Sequence, residues 1–201
     1  MVHLVNTEGF SGLETIGNNF IYNSKIEEMD FSDFYNVRET GINFIYVCPI
    51  KEVDLSPLKN LKIIKNQTCL SCQQMTRLNL SGLISLVSVE GYLAYGCTSL
   101  KTIDASGWAK INTVGWGYNS QGEYVDLGWV FYNNANLESI NVDGWQTLKN
   151  LGQMFLSKCP KLTSLDLSSW VSIRTISDLF VADCFNLTTL EMGNWGILSK
   201  V

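Results

Sequence analysis

A nine-residue phrase returns four times along this chain: Leu100-Lys-Thr-Ile-Asp-Ala-Ser-Gly-Trp108, Leu137-Glu-Ser-Ile-Asn-Val-Asp-Gly-Trp145, Leu162-Thr-Ser-Leu-Asp-Leu-Ser-Ser-Trp170 and Leu187-Thr-Thr-Leu-Glu-Met-Gly-Asn-Trp195. Repetition at so short a period constrains the fold more than any other property. One copy is too small to bury its own apolar residues and must close its core against the copies on either side. The register extends back from Leu100 through Met75, Ile50 and Ile26 to Val2, at spacings of 24 or 25 residues, and the unit at Leu100 is stretched to 37. Eight units therefore cover residues 1–201 as one repeat domain.

Aligned by unit, the chain reads as columns. The fourth position is Val5, Met29, Val53, Leu78, Ile103, Ile140, Leu165 and Leu190; the ninth is Phe10, Phe34, Leu58, Leu83, Trp108, Trp145, Trp170 and Trp195. The nineteenth runs Phe20, Phe44, Thr68, Leu93, Phe131, Phe155 and Phe180, and the twenty-third Ser24, Cys48, Cys72, Cys97, Ala135, Cys159 and Cys184. Positions four and six are apolar with a polar residue between them, the alternation of a short strand with one face inward. Stacked units place these strands side by side in a parallel sheet, with each apolar column running as an interior ladder. Ser, Gly, Asp or Pro at positions seven and eight mark a turn. The later spacing, from twelve to fifteen to nineteen to twenty-three, predicts a bend and a short helical or 3₁₀ turn over the far side of the core. The expected fold is a right-handed α/β solenoid, β-dominated, with eight rungs.

The run Ile176-Ser-Asp-Leu-Phe180-Val-Ala-Asp-Cys184-Phe-Asn-Leu187-Thr-Thr-Leu190 resembles the BspA-type leucine-rich repeats of bacterial surface proteins, with their Ile, Phe, Gly-Cys, Leu and Leu signature. Leu165-Asp-Leu-Ser-Ser-Trp170 is similar to a related repeat of Mycoplasma and gut-bacterial lipoproteins. The resemblance covers the whole chain. It implies a leucine-rich-repeat-like solenoid, display at a cell surface, and adhesion or protein binding without a shared catalytic site. The Trp ladder departs from the Phe or Pro-bearing turn more usual there, and the Asn that follows the strand in receptor-type horseshoes is missing.

Charge and composition narrow the function. With 14 Lys and Arg against 19 Asp and Glu the net charge is -5, and no stretch concentrates basic residues, so nucleic acid is not the expected partner. No apolar run is long enough to insert in a membrane. The start, Met1 to Glu8, does not read as a signal peptide, an expectation at odds with surface display unless the chain is a piece of something longer or part of a virion. The single histidine, His3, reads as a polar strand residue, so a triad built on it is not expected. A carboxylate pair acting on a glycoside is the one enzymatic alternative, and no distinct site marks it. Nothing asks for a cofactor. Cys69-x-x-Cys72 has the spacing of half a zinc site without its other half; as a column, the cysteines read as small core residues, with a bridge such as Cys48 to Cys72 open in an oxidising setting. The Trp column could form a sugar platform, but it shares its position with Phe and Leu and reads as core.

Three features are left for binding. The outward fifth position carries Asn6, Asp30, Asp54, Asn79, Asp104, Asn141, Asp166 and Glu191, an acidic ladder relieved by amides. It is a solvated face or a strip for a basic partner or Ca²⁺, although no loop has calcium-site spacing. The insertion over 115–126 holds Trp116, Tyr118, Glu123 and Tyr124, with Trp129 and Tyr132 just after it, and reads as a loop presented to a protein or glycan. The first and last units carry no polar caps, so docking of an end on another chain is expected, as in a structural component of an assembly such as a phage virion or tail.

Overall fold

The computed structural model describes residues 4–5 and 9–200. His3, Asn6 and the expected first rung start at Val2 lie outside the described residues. The chain winds as a β-solenoid of parallel strands, and among the described residues the helices are two 3₁₀ turns, Phe10–Gly12 and Ser32–Phe34. The front sheet is built from Glu52–Asp54, Arg77–Asn79, Thr102–Asp104 and Ser139–Asn141. Its register puts Val53 beside Leu78, Leu78 beside Ile103 and Ile103 beside Ile140, the fourth-position column. The same face continues as Leu4–Val5 with Glu28–Met29, and as Ser164–Leu167 with Thr189–Met192. A slip of one residue would turn every inward side chain to solvent, so the apolar column selects the register. At the turn that follows, a Cβ on Gly82 would lie 2.1 Å from the Ser56 carbonyl oxygen, so only glycine lets these two rungs approach.

The far side is not helical. Positions fourteen and fifteen form a second, five-stranded parallel sheet: Ile63–Ile64, Ser88–Val89, Thr113–Val114, Asn150–Leu151 and Thr175–Ile176. Ile64, Val89, Val114 and Leu151 face the core, and the β-branched residues suit the pleat better than a helix. Each of these strands is two residues long, and its hydrogen-bond partners sit a rung away, which is why local spacing misses it.

The third side also joins rung to rung. Ile21–Tyr22 pairs with Ile45–Tyr46, the Val47 amide donates to the Leu70 carbonyl, and the Trp129 and Phe131 amides donate to Gln153 and Phe155. Here the backbone repeatedly enters the left-handed region. Position twenty-two does so in every described rung that reaches it: Asn23, Val47, Ser71, Gly96, Asn133, Lys158 and Asp183. Asn, Asp and Gly are the residues that tolerate this conformation, and a β-branched residue is the one that least does.

The rung that starts at Met75 shows the core at its most complete: Met75, Leu78, Leu80, Leu83, Leu86, Val89, Leu93 and Cys97 are all fully buried. In the ninth column the indoles stack, Trp108 on Trp145 at 4.6 Å and Trp145 on Trp170 at 5.3 Å, with planes within 9° and 1° of parallel. Each indole N–H donates to the sixth-position carbonyl of the rung before it: Trp108 to Leu80 (2.9 Å), Trp145 to Ala105 (2.7 Å) and Trp170 to Val142 (3.3 Å). The half-buried Trp195 makes no such bond.

Two column assignments shift after the insertion. Phe131 lies level with Leu156, since their amides donate to Phe155 and Phe180 respectively, so Val130 rather than Phe131 takes the nineteenth position and Asn134 rather than Ala135 the twenty-third. The exchange has a polar logic. The column's thiols donate to the twentieth-position carbonyl of the preceding rung, Cys159 to Phe131 at 3.4 Å and Cys184 to Leu156 at 2.9 Å. Asn134 Nδ2 donates to the equivalent carbonyl of Ala94 at 2.9 Å, and its Oδ1 accepts the Cys97 amide at 3.0 Å. A fully buried amide is thereby satisfied where the other rungs use a thiol. All six cysteines are unbridged, and burial pushes the Cys69 and Cys97 thiols up.

Trp145→Ala is expected to cost about 3–5 kcal/mol, since it empties the middle of the indole stack, whereas Trp195→Ala costs well under half of that; urea denaturation of both variants checks the ratio. Val47→Asn, at a φ of 49° and on the surface, is expected to raise stability by up to about 1 kcal/mol, read as a higher urea midpoint.

Candidate binding surface

The insertion is a β-hairpin. Trp116–Tyr118 runs antiparallel to Tyr124–Asp126, with Trp116 opposite Asp126, Gly117 opposite Val125 and Tyr118 opposite Tyr124. Its turn is closed from within: Asn119 Oδ1 accepts the amides of Gln121 (3.0 Å) and Glu123 (2.9 Å), and Asn119 Nδ2 donates to the Glu123 carboxylate at 2.9 Å. Its base is tied to the coil. Both Asp126 carboxylate oxygens accept the Gln153 amide at 3.1 Å, Gly115 donates to Val89, and the Leu127 and Gly128 amides donate back to Gly115. A Cβ on Gly117 would sit 2.7 Å from Glu90 Cγ, so the hairpin lies close over that side chain. Burial there raises the Glu90 carboxyl above its ordinary range, against the Asn66 amide that donates to it at 3.0 Å.

Of the six aromatic and acidic residues singled out around the insertion, the structure makes two groups. Tyr118 and Tyr124 are exposed, at 65% and 50%, and meet edge to face at 5.2 Å, while Trp116 stacks on Tyr124 at 6.0 Å. Glu123 stands at the turn beside them, held by Asn119. Trp129 and Tyr132 belong to the third side of the coil. They join Tyr92 and Tyr95 of the preceding rung, Tyr92 parallel to Trp129 at 6.2 Å and Tyr95 stacked on Tyr132 at 5.2 Å, with Trp129 edge-on to Tyr132 at 4.5 Å. Lys158 Nζ lies 5.4 Å from the centre of the Tyr132 ring. Tyr92 and Tyr95 escape a reading centred on the insertion. The twenty-first column would have found Tyr95, because Tyr22, Tyr46, Tyr95 and Tyr132 share it, and Tyr22 and Tyr46 also stack, at 4.8 Å.

The fifth-position ladder does local work. Asp30, Asp54, Asp104 and Asp166 each accept the amide of the serine two residues on, at 2.8, 2.9, 3.1 and 2.9 Å, which closes the turn after the strand. Among the described residues the amide relief between rungs is seen where Asn79 Nδ2 donates to Asp54 at 3.0 Å. Glu191 ends the ladder in an exposed position. Glu28, Asp30, Glu52 and Asp54 line a shallow cleft of about 430 Å³ together with Met29 and Lys51. Among the described residues, no three His, Cys, Asp or Glu side chains gather as a metal site, and no helix is long and apolar enough to cross a membrane.

The Ser168 hydroxyl, and then its amide, hold the Asp166 carboxyl below its ordinary value. A depressed folded-state pKa stabilises above the unfolded value, near 3.9, and that contribution is lost as pH falls through the folded value. Ser168→Ala is expected to raise the Asp166 pKa toward the ordinary range, checked by a carboxyl-carbon NMR titration.

The chain matches the model of the BspA type leucine rich repeat region in six copies over residues 3–118 and 127–197, and the break between the two stretches falls at the hairpin. No curated protein matches it in sequence. Among solved structures it is similar to the leucine-rich repeat domain of the type III effector XCV3220 (XopL), at 14% identity and a TM-score of 0.44, over 94% of this chain and 67% of that one. Matched along nearly its whole length, the chain belongs to the BspA-type leucine-rich-repeat family.

Proposed function

We propose that the chain is a non-enzymatic, adhesin-like binding module that engages a protein partner through the hairpin on its fifth rung. Repeats of this family build protein-interaction scaffolds, and the hairpin carries the reading further. It interrupts the matched repeat, projects Tyr118 and Tyr124 with Trp116 behind them, and is braced at turn and base by hydrogen bonds that hold those rings in place before any partner arrives. Rigid aromatic side chains give contact area at a small entropic cost, which is how binding loops gain affinity.

A second reading, a structural component of a larger assembly, draws on the rung from Leu187 onward. There Met192 is 59% exposed where the same column is buried in earlier rungs, as at Leu80, Ala105 and Leu167, and it suits a chain stacking on that side. Sedimentation of the purified protein as a single species at all concentrations counts against it.

For the leading reading, a photo-crosslinking amino acid at position 118 or 124 should capture a partner that binds the unmodified chain reversibly. The paired substitution Tyr118→Ser and Tyr124→Ser should abolish that binding and leave the unfolding free energy from urea denaturation within about 0.5 kcal/mol. Equal affinity for the double variant would sink the hairpin as the binding surface.

A further inference from the structure

We infer that the groove on the third side of the coil, between Tyr132 and Asp183, is a binding site for an uncharged pyranose glycan. The inference rests on the reading of the chain as a binding module but uses a surface separate from the hairpin.

The groove arises from a step in one column. At position twenty-one, Tyr95 and Tyr132 stack, and the next two rungs carry Ser157 and Ala182 instead. Where the large rings stop, a cavity of about 240 Å³ opens, with Tyr132 at one end and Met154 and Leu179 along its side. The adjoining column, position twenty-two, supplies Asn133, Lys158 and Asp183: an amide, an ammonium and a carboxylate at successive rungs, about 4.8 Å apart. Lys158 and Asp183 also border a second hollow of about 360 Å³, whose far wall is Ala135, Pro160 and Phe185, the last 81% exposed. Two apolar troughs thus flank a ridge of three hydrogen-bonding groups.

This alternation matches a pyranose, which offers flat C–H faces to apolar and aromatic walls and hydroxyls at its rim to donors and acceptors. Small-ligand sites share the pattern, being mainly apolar with a few placed polar groups. A phosphate-bearing ligand fits badly: Lys158 is the one cation among the lining residues, Asp183 stands in the next rung, and the chain carries a net -5. A folded protein partner would need roughly 800 Å² on this side, more than troughs of this size supply. Upstream of the groove, Tyr92 parallel to Trp129 extends the row of aromatic rings, so a chain of several sugars has more to contact than a single one.

The test is titration of the full chain with cellohexaose, maltohexaose and mannohexaose, followed by tryptophan fluorescence and by amide chemical shifts. At least one of the three should bind, with shifts concentrated at 129–135, 154–160 and 179–185. Tyr132→Ser and Lys158→Asn should each weaken that binding roughly tenfold or more. Both substitutions install what a neighbouring rung already carries in the same column, Ser157 and Asn133, and Asn133 has the same φ of 58° as Lys158, so the fold is kept. No response to any of the three sugars overturns the inference, as does tighter binding of the acidic oligogalacturonate than of every neutral glycan. Sugar binding lost in Tyr118→Ser but kept in Tyr132→Ser and Lys158→Asn overturns this site and leaves the hairpin reading standing. Sugar binding with the expected shifts, alongside a hairpin double variant of unchanged partner affinity, overturns the hairpin reading and leaves this one.

Discussion

Backbone hydrogen bonds between successive rungs, on three sides of the coil at once, are the interaction on which everything else depends. A strand of two or three residues has no stability of its own. It persists here because the rung before it and the rung after it offer the same groups at the same height, in the front sheet, in the five-stranded sheet behind it and along the third side. Satisfying the backbone this way delivers like side chains onto like. Indole then stacks on indole, and each thiol of the twenty-third column, or the Asn134 amide in its place, reaches a carbonyl one rung away. Polar satisfaction and apolar packing are in this way set by one translation.

The same translation makes the outer surface a set of columns, and function follows from where a column is interrupted. The hairpin enters where the coil passes from the second sheet toward the third side, and the coil resumes its hydrogen bonding immediately beyond it: Gly115 still donates to Val89, and Gly152 to Val114. A rigid scaffold can therefore carry the aromatic hairpin without loss of register. On the third side the interruption is a change of residue size, from tyrosine to serine and alanine, which hollows the surface without moving the backbone.

Much of this was legible without coordinates. The period-two alternation of positions four to six gives the front sheet and its register, and the columns place the Trp and Cys residues inside, where Trp108, Trp145, Trp170, Cys72, Cys97 and Cys159 are found. The acidic ladder was visible as a row of charge, while its part in closing the turns was not read from it. The serine two residues beyond each Asp was the available sign that these carboxylates close turns. The second sheet was not legible, because two-residue strands have no period to detect and their partners lie a full rung away. Nor was the slip that puts Val130 and Asn134 in column, since an insertion of uncertain length leaves the register after it open until hydrogen bonds decide it.

By itself, then, the sequence determined that this chain stacks upon itself, with what spacing and which residues inward, because burial of aligned apolar side chains is a condition every unit states separately. What the tertiary structure alone decided is how the outward residues meet. Tyr92 finds Trp129 and Lys158 finds Tyr132 only after the hairpin is looped out and neighbouring rungs settle about one strand spacing apart. Contacts between rungs depend on that closure, and no single unit contains it.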